Sequence, residues 1–254
     1  MLEYFLHLQN SPKISVIIPT LNEEKLIVKT LEQFTPLLKE KYNMEIVVSD
    51  GGSTDGTLTL LTTLVDKVVK AEPGVKQNIP QGRNAGARPA EGEFLYFLNA
   101  DTIIQDTESF FRESLAAFAD EKNYALTCRF HVFPDDVRLS DKIFHGFYNN
   151  YVRMLNAIGM GMGRGECQMV RSDIFRKVNG YNELLAAGED YDLYRRIKKL
   201  GGGRIKFMNE MLVYESPRRY RKFGYIKVFG DWTKNSFSVF FKNKSVSKEW
   251  EAVR

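Results

Sequence analysis

Short apolar runs that alternate with helical patterns are the feature that most limits how this chain can fold. The runs are ISVII at residues 14–18, EIVVS at 45–49, DKVVK at 66–70 and EFLYFL at 93–98. They are short and rich in β-branched or aromatic residues, which is typical of buried strands. Segments with apolar residues at helical spacing lie between them. Strands that alternate with helices predict a doubly wound, mostly parallel sheet flanked by helices.

The same patterns predict the remaining elements. In the first half we expect a helix over about 22–38, capped by Thr20 or Asn22, a helix over 58–64, and a small-residue helix from about residue 82. In the second half the predicted elements are helices at 107–121, 141–158, 172–178 and 189–200, strands at 125–133, 167–170, 204–207 and 211–214, and a basic helix at 222–241.

Polar residues follow the apolar run at 93–98 directly. Asn99, Ala100 and Asp101 stand where this strand would leave the sheet, and ligands of open α/β sheets bind at the carboxyl ends of strands. A carboxylate there suits a hard cation and the phosphates that accompany it. A helix cap is the alternative role for Asp101. Glu189 and Asp190 begin a later helix, where the macrodipole by itself would favour two acids.

The charge distribution limits the partners. The net charge is +4, and its excess lies near the C-terminus. The cations there are Arg218, Arg219, Arg221, Lys222, Lys227, Lys234, Lys242, Lys244 and Lys248. They suit an anionic partner or form a solvated face.

Cysteine usage and hydropathy bear on the compartment. Cys128 and Cys167 provide no disulfide framework and no metal-ligand spacing, so we expect a reducing compartment. The first residues lack the pattern of a signal peptide, and no uncharged apolar run reaches the ~18 residues of a membrane span. We therefore expect a cytoplasmic protein, with the basic tail as a candidate contact to the inner face of the membrane.

Four segments, in this order and spacing, resemble the family 2 glycosyltransferases, which have the GT-A fold. They are VIIPTLNE at 16–23, VVSDGGSTDGT at 47–57, GRNAGARPAEGEFLYFLNADT at 82–102 and GEDYDLYRRIKKLG at 188–201, and SPRRYRKFG at 216–224 also looks like a segment of bacterial members. The resemblance implies an α/β, Rossmann-like GT-A domain over residues 1–221, with a nucleotide-binding half at 1–106 and an acceptor-binding half at 107–221. Residues 222–254 would form a basic helical tail.

The resemblance also implies roles for individual residues. The nucleotide-binding residues would be Pro19, Thr20, Asn22, Glu23, Asp50, Gly52, Ser53, Arg83, Asn99 and Ala100. Asp101 would hold Mg²⁺ or Mn²⁺. Asp190 would be the general base, with Glu189 beside it. Two positions depart from the family pattern: Asn99 replaces an Asp, and Glu215 stands near where many relatives have a metal-binding His.

The implied activity is inverting transfer of a sugar from a nucleotide-diphosphate donor, UDP first, to an acceptor hydroxyl. The acceptor would be a saccharide or a lipid-linked molecule, and we expect no nucleic acid among the partners. A polyprenyl-phosphate acceptor at the membrane surface is one alternative, and a nucleotide-sugar-binding protein without catalysis is another. All three require Asp101 to lie in a nucleotide cleft, and the first also requires Asp190 to face the same cleft.

Overall fold

A mixed sheet forms the centre of the protein in a computed structural model that describes residues 13–61, 63–72 and 74–247. Its strands are β1 Ile14–Thr20, β2 Met44–Asp50, β3 Lys67–Lys70, β4 Phe94–Leu98, β5 Ile103–Ile104, β6 Asn123–Val132, β7 Cys167–Arg171 and β8 Arg204–Glu215. They lie in the order β3-β2-β1-β4-β7-β6-β8-β5.

Helices cover the sheet on both faces. Their bounds are α1 Ile27–Glu32, α2 Pro36–Lys41, α3 Thr57–Leu60, α4 Ile79–Ala87, α5 Thr107–Phe118, α6 Leu139–Ala157, α7 Ser172–Lys177, α8 Glu189–Lys199, α9 Arg218–Phe223 and α10 Tyr225–Lys242. The α/β class and the largely parallel sheet predicted from the sequence are confirmed.

The direction of β7 decides what meets at the functional edge of the sheet. β1, β2, β3 and β4 pair in parallel, β7 is antiparallel to both β4 and β6, and β8 is parallel to β6. The start of β7 therefore lies at the edge where β1, β2, β4, β6 and β8 end. Residues from very different parts of the sequence are brought together there.

Alternating residues of β1 show how both faces of the sheet are buried. Val16 and Ile18 belong to the core beneath α1, α2 and α5, whereas Ile17 belongs to the core beneath α4, α7 and α8. Because α4 lies very close to β1, a Cβ atom added at Gly86 would come 2.6 Å from Cγ2 of Ile17. A small residue at this position of the helix therefore serves tight packing against the sheet.

Several predicted elements differ from the structure. The long helix expected over 22–38 is two short helices, because Pro36 begins α2 and the Thr35 hydroxyl accepts the amide of Leu38 at 3.3 Å. Asn22 does not cap a helix: it has a positive φ of 55°. The two strands expected at 204–207 and 211–214 are one strand, β8, whose pairing with β6 shifts after Met208.

The C-terminal helical extension is confirmed, and it is packed against the body of the protein. Val239 of α10 is fully buried, and Arg195 of α8 donates to the carbonyl of Phe240 at 3.1 Å. The predicted tail residues 248–254 and the first 12 residues of the predicted domain lie outside the described part of the chain. No helix among the described residues combines the length and hydropathy needed to cross a bilayer.

Candidate active site

A cavity of about 500 Å³ opens at the edge where the parallel strands end. Its walls come from the ends of β1, β4 and β8, the residue before β7, the loop at 76–79, and helices α9 and α10. The predicted site residues that line it are Pro19, Thr20, Glu23, Asn99, Ala100, Asp101 and Glu215. This is the position at which open α/β sheets bind their ligands.

The loops after β1 and β2 are locked together by hydrogen bonds. One carboxylate oxygen of buried Asp50 accepts the amides of Gly52 and Ser53 at 3.1 and 3.0 Å. The Ser53 hydroxyl in turn accepts the amide of Asn22 at 2.8 Å. Gly52 has φ +99°, a conformation that glycine adopts readily. None of these four residues lines the cavity; they fix the loop that begins at Gly51, which does line it, and Asp50 is the local anchor of that loop.

Asp101 lies in the cavity wall opposite an arginine. A guanidinium nitrogen of Arg218 is 2.9 Å from the Asp101 carboxylate and 3.4 Å from that of Glu23. Burial raises the pKa of Asp101, although Arg218 acts in the opposite direction. Arg218 thus occupies the position of a counter-ion to this carboxylate. No group of three or more His, Cys, Asp and Glu side chains in the described residues is arranged to hold a metal ion.

Two further carboxyl groups lie deeper in the cavity, on either side of Arg164. Its Nη2 is 2.9 Å from Glu166 and 2.7 Å from Glu215, and Glu215 also accepts the Tyr220 hydroxyl at 2.8 Å. Burial raises the pKa of Glu215 to about 8, opposed by Arg164 and reinforced by Glu166. Burial also acts on Glu166, but Arg164 outweighs it and lowers the pKa of Glu166. Arg164 thus favours the charged form of Glu166, whereas burial favours the neutral form of Glu215.

Arg83 is buried beneath the cavity and does not line it. Its guanidinium donates to Glu189 at 2.9 Å, to the Asn99 side-chain oxygen at 3.1 Å and to the Gly165 carbonyl at 2.5 Å. Asn99 is thus held by a cation that also holds the start of α8. The predicted contact of Arg83 with a nucleotide stays a prediction; its contacts in the structure join α4, β4 and α8.

Asp190 lies beside this cluster and does not itself line the cavity. Burial and the adjacent Glu189 raise the pKa of Asp190 to about 7, with Arg83 opposing them and Glu166 adding a further increase. Glu166 lines the cavity and also raises the pKa of Asp101. Asp101 and Asp190 are therefore electrostatic neighbours of the same cavity-lining carboxyl group. A base with a pKa near 7 is suited to proton transfer at neutral pH.

A family model for glycosyl transferase family 2 matches residues 15–178, well over half of the chain. The chain belongs to glycosyl transferase family 2. It is 28% identical over 193 residues to succinoglycan biosynthesis protein ExoA of Rhizobium meliloti (strain 1021), covering 73% of this chain and 58% of that protein. It is 34% identical over 94 residues to the GalNAc(5)-diNAcBac-PP-undecaprenol beta-1,3-glucosyltransferase of Campylobacter jejuni, covering 35% and 30%. The matches span less than two thirds of these relatives.

Solved structures show the same fold. A mannosyltransferase from Pyrobaculum calidifontis, in complex with GDP-Man and Mn²⁺, superposes with a TM-score of 0.63 at 20% identity, covering 85% of this chain and 64% of that chain. Staphylococcus aureus TarS 1–349, in complex with UDP-GlcNAc, gives 0.58 at 22% identity, covering 80% and 58%. The GT-A architecture expected for this family 2 member is confirmed.

Several cavity residues were not predicted from the sequence. Glu166 follows a glycine-spaced loop and carries no motif of its own, and only the antiparallel course of β7 brings it beside Asp101. Arg218 belongs to the SPRRYRKFG segment, which could have indicated it. Lys76 and Trp232 also line the cavity, from the loop after β3 and from α10.

Proposed function

We propose that this family 2 member is an inverting glycosyltransferase that moves a sugar from a nucleotide-diphosphate donor, UDP first, to an acceptor hydroxyl. The observation that carries the proposal is that Asp101, in the cavity wall, and Asp190, whose pKa is raised to about 7, both lie within electrostatic reach of the cavity-lining Glu166. They are 89 residues apart in sequence (190 − 101 = 89).

In the proposed reaction the acceptor oxygen attacks the anomeric carbon of the donor sugar. The new carbon–oxygen bond forms as the bond to the diphosphate oxygen breaks on the opposite face, so the configuration inverts. Asp190 takes the acceptor proton, a function worth roughly 10²–10⁴-fold in rate. The diphosphate leaves with the bonding electrons. Glu189 and Arg83 act by fixing the start of α8 and with it the carboxylate of Asp190.

The residues present fit a divalent cation of the kind that travels with a nucleotide. Mg²⁺ is often held by one or two carboxylates together with substrate phosphates, so Asp101 can serve without a full protein cage. Such a cation, when bound, would neutralise charge on the diphosphate. Glu215 also lines the cavity, but one of its carboxylate oxygens already accepts from Arg164 and from the Tyr220 hydroxyl. We therefore assign the cation first to Asp101, with Glu215 as the second candidate ligand.

The experiment that tests this function is a donor screen by calorimetry with UDP-, GDP- and dTDP-sugars, with and without Mn²⁺, followed by product analysis. We expect one nucleotide class to bind with metal-dependent affinity and its sugar to be transferred with inversion. Retention of configuration would contradict the mechanism. Binding without transfer or hydrolysis would support the non-catalytic alternative.

A polyprenyl-phosphate acceptor is the second candidate, favoured by the exposed apolar residues of the C-terminal helix. Ile226 is 91% and Phe241 72% exposed, and Lys227, Lys234 and Lys242 are exposed on the same helix. Apolar and basic residues together are typical of helices that lie at a membrane surface. A phosphate acceptor arrives ionised and needs no base. Activity of the Asp190→Asn variant on such an acceptor would therefore support this candidate.

A further inference from the structure

A second cavity, of about 220 Å³, lies between α6, α10 and the loop at 159–163. Aromatic side chains form most of its wall, including Tyr148 and Tyr151 of α6 and Phe229 and Phe237 of α10. The polar groups of the lining are the tyrosine hydroxyls, the indole N–H of Trp232 and the hydroxyls of Thr233 and Ser236. Among the residues that the structure describes, no charged side chain lines the cavity, and the rest of its wall is aromatic, thioether and aliphatic surface, which suits a hydrocarbon.

This aromatic cavity adjoins the candidate active site. Trp232 lines both cavities, and Tyr191, the neighbour of Asp190, lines the aromatic one. The rings of Tyr148 and Trp232 lie 5.2 and 5.3 Å from the guanidinium carbon of Arg164, which contacts Glu166 and Glu215. A molecule whose reacting group lies near Asp190 could therefore extend past Trp232 into the aromatic cavity.

The mouth of the aromatic cavity is apolar and exposed. Phe237 is 60%, Phe241 72% and Met160 39% exposed, although all three line the cavity. Each square ångström of apolar surface left in water costs about 25 cal/mol, so a cluster of exposed aromatic side chains indicates a surface that a ligand covers. Lys234 and Lys242 are exposed on the same helix and match the charge of a phosphate-bearing ligand.

We propose that the aromatic cavity binds the hydrocarbon chain of a lipid-linked acceptor, with Trp232 between the chain and the reacting group. This inference rests on the proposed glycosyltransferase function and narrows its acceptor to a molecule with a hydrophobic chain. It assigns to α6 and α10 the role of selecting the acceptor, separate from the chemistry at Asp190. The chain would replace water against Phe237 and Phe241, and the exposed lysines of α10 would favour the approach of an anionic lipid.

The test compares two identical substitutions on α10. Ser236→Phe fills the aromatic cavity, whereas Ser238→Phe adds the same ring at a residue that does not line it. Both are made in a Trp250→Phe background, so that Trp232 is the one tryptophan left. Trp232 fluorescence is followed during titration with farnesyl phosphate below its micellar concentration, and with inorganic phosphate in a parallel series.

We expect farnesyl phosphate to change the fluorescence saturably and inorganic phosphate to have no such effect. Ser236→Phe should weaken farnesyl phosphate binding at least about tenfold, since excluding a few methylene groups from an apolar site has that effect or more. Ser238→Phe should stay within about twofold of the parent. Equal binding by the two variants would overturn the proposal, as would equal responses to farnesyl phosphate and inorganic phosphate.

Other occupants would give different results. Binding to anionic vesicles without binding of monomeric farnesyl phosphate would overturn the proposal in favour of a bilayer contact. A concentration-dependent dimer that Ser236→Phe dissociates would overturn it in favour of a second copy of the chain.

Calorimetry with UDP and Mn²⁺ on the same variants tests the proposed glycosyltransferase function separately from binding of the lipid chain. Loss of the donor response in the parent protein would refute the proposed function while leaving chain binding to be judged by fluorescence.

Discussion

The two sides of the large cavity hold their polar groups in different ways. On the β1–β2 side, the loops are fixed by neutral and charge-assisted hydrogen bonds such as those that Asp50 accepts from Gly52 and Ser53. On the α8 side, several ionisable groups are buried against one another, among them Arg83 with Glu189. A loop held by such bonds needs no reorganisation when a ligand binds beside it, whereas buried charges shift each other's pKa values. In the proposed function, the first side positions the donor and the second side transfers the proton.

The largest effect should follow removal of the proposed base. Asp190→Asn should lower the transfer rate by about 10²–10⁴-fold and leave donor affinity within about twofold, because the amide cannot accept the acceptor proton. Steady-state kinetics and calorimetry measure the two quantities. Asp173→Asn, which changes an exposed acid in the first turn of α7, is the matched control. If the Asp190→Asn variant turns over a hydroxyl acceptor at the normal rate, Asp190 is not the general base.

The same residue predicts a pH dependence with a defined sign. The base acts when deprotonated, so the rate should rise as pH increases through about 7, the value to which burial and Glu189 raise the pKa of Asp190. A pKa raised in the folded state also means that the stability Asp190 contributes is full below its unfolded pKa and is lost as pH rises through about 7. Asp190→Asn should therefore lose less stability than the parent between about pH 4 and about pH 7, the interval between the unfolded and folded pKa values of Asp190. Thermal unfolding at several pH values measures this.

The next largest effect, this time on stability, should follow disruption of the buried ion pair between Arg83 and Glu189. Arg83→Met leaves Glu189 buried without its cation, and removing one partner of a buried pair typically costs about 3–5 kcal/mol. The control is Arg88→Met, just after α4, where the arginine side chain is 72% exposed. This substitution should lower the free energy of unfolding by less than about 1 kcal/mol. Urea unfolding of both variants makes the comparison. Equal losses would show that the α8 side does not depend on its buried charges.

Removal of the cavity-wall carboxylate tests the other side. Asp101→Ala should abolish the increase in UDP affinity that Mn²⁺ produces, because Asp101 is the carboxylate assigned to the cation. Asp106→Ala removes a helix cap five residues later; it should cost about 1 kcal/mol of stability and leave the metal effect intact. Calorimetry with and without Mn²⁺ reports the difference. If Mn²⁺ increases the UDP affinity of Asp101→Ala as much as that of the parent, Asp101 does not hold the cation.

The smallest predicted effect concerns the arginine that faces this carboxylate. Arg218→Ala removes a partly exposed counter-ion 2.9 Å from Asp101, so Mn²⁺ affinity in the absence of nucleotide should increase about two- to fivefold. Lys222→Ala, in the same helix, should leave it unchanged. Manganese binding can be followed by electron paramagnetic resonance. A decrease in Arg218→Ala would mean that Arg218 helps to organise the cation site instead of competing for it.

The apolar runs were sufficient to predict β1, β2 and β4. A short apolar run fits a central strand, whose backbone groups bond to the strands beside it and whose side chains are buried on both faces of the sheet. Asp101 at the end of β4 and Asp190 at the start of α8 were likewise predicted, since the position of a polar residue within an element is local information. The break between α1 and α2 could have been predicted from Thr35-Pro36, a typical helix start.

The sequence by itself determined the α/β class, the family and the positions of individual acids on strand and helix ends, because hydrophobic periodicity and turn chemistry act over a few residues. Only the tertiary structure decided that Arg83 contacts Glu189 and Asn99, that Glu166 lies beside Asp101, and that Trp232 separates two cavities. These contacts depend on the antiparallel direction of β7 and on the packing of α10 against α6 and α8. Strand direction and helix packing are settled by the burial of the whole chain, which no local pattern contains.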